Sequence, residues 1–140
     1  MIIIEMNILQ KRAKINTLVI YKLKCNPWLV KELFLNQLSI VNYRNLTGID
    51  FILDPNINCF VGNNGVGKTN ALDAIYFLAM GKSYSNSITS QNISHQADFS
   101  MIEGIFDKNE KKLRIQCHFD REGKKTIKRN RKAYKKIADH

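Results

Sequence analysis

"CFVGNNGVGKTNALDAIYFLAMGK", residues 59–82, sets three of the chain's seven glycines within six residues, between an apolar run and a helix-patterned one. Gly62, Gly67, Lys68 and Thr69 satisfy G-x-x-x-x-G-K-[ST], the spacing of a P-loop that holds nucleotide phosphates. Glycine lets the backbone take positive φ and curl until successive N–H groups face one anion. Asn63, Asn64, Gly65 and Val66 complete the cradle. The helix that follows adds its unpaired N–H groups and the positive end of its dipole. Lys68 is placed to neutralise the β and γ phosphates, and the Thr69 hydroxyl to ligate Mg²⁺. A glycine-rich strand-to-helix turn without a ligand is the bland alternative. A random chain of this length shows the pattern roughly once in a couple of hundred, and the flanking strand and helix are further, independent requirements that this sequence meets.

Outward from the loop, "INCFV" at 57–61 reads as a short strand buried on both faces. "TNALDAIYFLAM" places Leu72, Ile75, Tyr76 and Ala79 at helical spacing, and Gly81 supplies the stop. Upstream, "LFLNQLSIVNY" and "GIDFIL" read as strands joined through "RNLTG", with a turn at "DPN". "INTLVIYKLK" suggests a short strand, ended by the break at Pro27. Downstream, "KSYSNSITSQNISHQADFS" is polar and turn-rich, hence loop. "MIEGIF" and "LRIQCHF" read as strands, the second with Leu113, Ile115, Cys117 and Phe119 on one face. "DREGKKTIKRN" reads as a hairpin turn and third strand, and "RKAYKKIAD" as a basic helix.

The 140 residues suit one domain with a real core. Hydrophobic residues at 44% and charged ones at 24% are ordinary for a soluble globular protein. Charge is unevenly placed: residues 1–32 carry net +4, residues 33–107 carry −3, and residues 108–140 carry +9. The basic end suits phosphate backbones through counterion release; a solvated Lys-rich hairpin and helix is the alternative. Cys25, Cys59 and Cys117 are odd in number and lack a C-x-x-C pair, which points to neither a disulfide framework nor zinc, and to a reduced cytoplasm. No apolar stretch approaches the roughly 18 to 20 residues that span a bilayer. "MIIIEMNILQKRAK" has the wrong order for a secretory signal. The reading is therefore neither secreted nor membrane-spanning.

Other chemistry is sparse. A Walker B strand, four apolar residues ending in Asp, is needed to hold metal and orient water. "MIEGIFD", ending at Asp107, is the nearest match, but Glu103 and Gly104 interrupt it and it is rejected. His95, His118 and His140 lack metal-ligand spacing. Tyr76 and Phe77 fit core packing better than base stacking, and Trp28 carries no signal.

From Leu33 onward the sequence resembles the N-terminal part of the RecF family, recombination mediator ATPases related to SMC heads and ABC transporters. "LSIVNYRN" at 38–45 resembles the family's opening strand, and "NCFVGNNGVGKTNALDAIYFLAMGKSY" at 58–84 its strand, P-loop and first helix. "TIKRNRKAYKKIADH" is a weaker match to a family hairpin and helix. The resemblance implies an α/β P-loop NTPase of ABC/SMC-head type, an N-terminal lobe fragment with an antiparallel β portion, truncated before signature and Walker B. It implies ATP and Mg²⁺ at Gly62–Thr69, an ATP-dependent head-to-head homodimer, single-stranded or gapped DNA, and recombination mediator proteins that load recombinase. Arg44 and Asn45 are implied along the nucleotide's edge, with a strand-end turn as the alternative. Lys82 keeps a family basic residue, whereas Ser85 stands where an Arg is common. Residues 1–32 are unmatched and are expected to reflect an early or misassigned start, with a genuine extension as the alternative. Residues 33–140 are the partial head.

Overall fold

The computed structural model describes residues 19–23, 33–108 and 111–134. In chain order these form β1 (Val19–Leu23), β2 (Leu33–Tyr43), β3 (Leu46–Ile52), β4 (Ile57–Val61), α1 (Lys68–Met80), a 3₁₀ turn (Thr89–Asn92), β5 (Phe99–Lys108), β6 (Lys111–Asp120), β7 (Lys125–Arg129) and β8 (Lys132–Ala133). Six strands make an antiparallel sheet in the order β3-β2-β5-β6-β7-β8, and β1 pairs antiparallel with β4.

Alternation along each strand builds one apolar face. Ile40, Ile102, Cys117 and Ile127 are register partners across β2, β5, β6 and β7, and none is more than 2% exposed. α1 lies against this face with Ala71, Ala74, Phe77 and Leu78 buried. Phe77 stacks on Phe119 at 4.9 Å, and Tyr43 meets both rings edge-on at 6.1 and 6.3 Å. A Cβ on Gly104 of β5 would come within 2.8 Å of Leu78 Cδ1, so the glycine that spoils the Walker B pattern leaves room for a helix side chain on the sheet.

Four expectations change. The buried stripe of α1 is not Leu72, Ile75, Tyr76 and Ala79; Leu72 is 54% exposed. The helix has apolar residues nearly all round, and the small Ala71 and Ala74 let that side approach the sheet more closely. β4 is not buried on both faces: none of its residues is fully buried, and Ile57 and Val61 stay 43% and 48% exposed. The β2–β3 connection is two residues, Arg44 and Asn45, because Tyr43 pairs with Leu46. The segment read as a basic helix begins instead with a turn and β8: Asn130 and Arg131 take φ of 48° and 71°, the paired positive values of a tight hairpin. The remainder of that segment, 135–140, lies outside the described residues, as do His140, Cys25, Pro27 and Trp28. The strands at 19–23, 33–43, 101–106, 113–119 and 125–129, and the helix stop at Gly81 (φ 67°, its N–H donating to Phe77 O at 2.8 Å), are as the pattern predicts.

Candidate nucleotide-phosphate site

β4 delivers the chain into the glycine loop, and α1 takes it out. Gly65 and Gly67 have φ of 84° and 104°, in the left-handed region where a side chain is strained. Gly67 is the N-cap of α1, and no side chain caps it. The first N–H groups of the helix have no intrahelical partner, and the helix dipole adds positive potential there. Gly62, Asn63, Asn64 and Gly65 are all exposed. Lys68 Nζ lies across the loop, donating to the carbonyl oxygens of Gly62 and Asn63 at 2.8 Å each. An ammonium has three donors, so one remains for an anion. Val66 completes the turn with a long N–H bond of 3.5 Å to Asn63 O.

Thr69 is exposed on the first turn of α1, at the edge of a cavity of about 240 Å³ that it shares with Leu72, Asp73, Tyr76, Tyr84 and Ser85. The donors, the ammonium and the exposed hydroxyl fit a polyphosphate with its divalent cation. Of the eight residues expected of the cradle, Gly62 to Gly67 form the loop, and Lys68 and Thr69 open α1.

Behind the loop stands the β2–β3 turn. Arg44, at φ 53°, and Asn45 occupy it. Asn45 Nδ2 donates to Gly65 O at 2.7 Å, and Asn70 Nδ2 donates to Asn45 Oδ1 at 2.7 Å. Arg44 Nη1 donates to Asn70 Oδ1 at 3.1 Å, while its Nε and Nη2 reach Asn92 Oδ1 at 3.0 and 2.8 Å. Nη2 also reaches Ser83 Oγ at 3.1 Å and Ser85 Oγ at 2.7 Å. Ser85 is thus an acceptor for Arg44. Asn45 holds the loop directly, and Arg44 reaches it only through Asn70 and Asn45.

Asp73 anchors this network. Its carboxylate lies 3.0 Å from Arg44 Nη2 and accepts from Tyr43 Oη at 2.6 Å, Ser83 Oγ at 2.8 Å and the Tyr84 N–H at 2.7 Å. Burial alone would raise its pKa, but the bonds from Tyr43, Ser83 and Tyr84 and the Arg44 charge hold it below the usual carboxylate value. Burial, and then the bond to Asp73, push the Tyr43 hydroxyl well above its ordinary value. Sequence reasoning passed over Asp73, Asn70, Ser83 and Asn92. The one available signal was Asp73 itself, the single acid within the apolar run of α1.

The other candidates disperse. Lys82 is exposed just past α1, His95 is exposed, and His118 stacks on Phe99 at 5.4 Å. Phe77 is core, and Tyr76 meets Tyr84 edge-on at 5.5 Å. Asp107 accepts from Asn36 Nδ2 at 2.6 Å within the sheet. Among the described residues no group of three or more His, Cys, Asp or Glu is placed to hold a metal, and no helix is long and apolar enough to cross a membrane.

A strand, a left-handed glycine bend and a helix beside an antiparallel sheet define a P-loop NTPase fragment of the ABC/SMC-head type. A family model described as an AAA domain matches residues 37–140, and the chain belongs to that family. The DNA replication and repair protein RecF of Flavobacterium johnsoniae is 51% identical over 106 residues, covering 76% of this chain and 30% of that protein. A solved structure of the recombination mediator protein RecF with ATPγS, in the RecFOR pathway, is 25% identical with a TM-score of 0.67, over 76% of this chain and 29% of that one. A structure from work on ATP-driven dimerization and DNA-stimulated activation of SMC ATPases shares the fold, with a TM-score of 0.68 at 18% identity over 76% of this chain and 74% of that one. The RecF resemblance read from the sequence is therefore borne out. The chain spans about 30% of the length of the curated relatives it matches.

Proposed function

We propose that this chain binds ATP at Gly62–Thr69 as part of a cytoplasmic DNA replication and repair protein of RecF type. The observation that carries the reading is the Lys68 ammonium, 2.8 Å from the Gly62 and Asn63 carbonyls, lying across a bend whose Gly65 and Gly67 are left-handed. The loop N–H groups and the start of α1 hold the phosphates, Lys68 balances their charge, and Thr69 Oγ1 is the protein's ligand to Mg²⁺. A cation held there would supply positive charge against the phosphates. Hydrolysis is a property we assign to the full-length, ATP-dependent dimer, in which a second copy closes over the nucleotide.

DNA, single-stranded or gapped, is the proposed polymer partner, and recombination mediators and the SOS response the proposed setting. Exposed Lys111, Lys112, Arg114, Arg129, Arg131 and Lys132 sit on β6 and the β7–β8 hairpin, and support a salt-sensitive phosphate-backbone contact. Mg-ATP titrated against the chain and against Lys68→Ala is the direct test. The expected result is binding lost by the variant, with DNA binding that falls steeply across a salt series. DNA binding with no ATP affinity in the unmodified chain would replace this reading with a basic nucleic-acid module whose loop is vestigial.

A further inference from the structure

We propose that Asn45 and Asn70 are positioning residues of the phosphate loop, holding the Gly65 peptide from behind so that its N–H side faces the ligand. This rests on the nucleotide reading above. The starting point is Arg44, whose guanidinium has donors and no acceptor. Its 3.1 Å bond therefore fixes Asn70 Oδ1 toward Arg44 and leaves Asn70 Nδ2 toward Asn45. Asn45 must then present Oδ1 to Asn70 and Nδ2 to Gly65 O, where the distance is 2.7 Å. Each amide orientation follows from the one before, and the relay ends on a loop carbonyl.

That carbonyl is the important end. In a trans peptide the C=O and the next N–H point to opposite sides. Pinning Gly65 O outward turns the Val66 N–H inward across the loop. There it makes its 3.5 Å bond to Asn63 O, long enough for a phosphate oxygen to displace at little cost. A second, independent contact puts the same residue against the loop. A Cβ on Gly67 would lie 2.8 Å from Asn45 Oδ1 and would overlap Leu46 Cδ2, so the turn and the start of β3 pack closely on the helix cap. Asn45 is itself exposed, so its role does not depend on filling a core.

The test uses Asn45→Ala and Asn70→Ala, neutral changes that add no charge near the phosphates. Three quantities are read: amide hydrogen exchange over residues 62–67 in the nucleotide-free chain, affinity for Mg-ATP and for inorganic triphosphate, and melting temperature. Each variant is expected to speed loop exchange and to weaken both ligands about fivefold to tenfold, the scale of one lost hydrogen bond, with melting nearly unchanged. The double variant should be little worse than either single one, because both break the same relay. Unchanged loop exchange and affinity in Asn45→Ala would overturn the proposal. So would faster exchange spread evenly over the molecule with a lowered melting temperature. If the unmodified chain binds neither ligand, the nucleotide reading fails, and exchange in the nucleotide-free loop still decides whether Asn45 holds it.

Discussion

Arg44 and Asp73 face each other at 3.0 Å, the guanidinium 21% exposed and the carboxylate 4%. One stands on the tight turn between β2 and β3, the other in the middle of α1. Their pairing joins the sheet edge, the helix and the Ser83–Asn92 loop at one point, and the phosphate loop is braced from the same turn. A charge this buried is stabilising only while its partners remain, because removing one leaves the other desolvated.

Arg44→Ala is therefore expected to cost about 3 kcal/mol, the lower end of what breaking a buried pair costs, since the guanidinium keeps some solvent. Urea unfolding of Arg44→Ala, Asp73→Asn and the double variant checks this. The double variant should be less destabilised than the sum of the two, and strict additivity would show the pair to be uncoupled.

Acid should act through the same carboxylate. Asp73 is held below its ordinary value of 3.8, so the folded state favours its ionised form. Its contribution is complete above that value and is lost as pH falls through the lower folded value. The urea midpoint of the unmodified chain should drop on acidification below about pH 4. Asp73→Asn, already destabilised at neutral pH, should show a shallower acid limb.

At the alkaline end the relevant group is Cys117, whose thiol burial pushes up to about 12 from an ordinary 9.0. The folded state favours the neutral thiol, so its contribution holds below the ordinary value and fades as pH rises toward the folded one. Thiol-reactive reagent at neutral pH followed by peptide mapping should modify half-buried Cys59 well before Cys117. Equal rates in the folded chain would contradict the buried position.

The bend at Gly62–Thr69 was legible because its chemistry is local: glycine positions, one lysine and one hydroxyl at fixed spacing dictate a backbone shape. Strand alternation was legible in β6 for a similar reason, since Ile115, Cys117 and Phe119 must share one face. The orientation of α1 was not. Leu72 and Tyr76 are as apolar as Phe77 and Leu78, and only the closeness of the sheet selects the side bearing Ala71 and Ala74. Arg44, Asn70 and Asp73 were illegible as a group because the bonds from Tyr43 and Arg44 that bring them together span 26 to 48 residues of chain. No periodicity encodes such a meeting.

Gly104 has a bearing on engineering at a distance. Its missing side chain sets how low the Leu78 end of α1 rides on the sheet, and the opposite end of that helix, at Lys68, is about ten residues or 15 Å away. A bulkier residue at 104 would lever the whole rod and tilt its amino end relative to the turn that presses on Gly67. A library screened for altered nucleotide affinity could thus return a substitution deep under the helix that touches no ligand, acting like a shim beneath a beam.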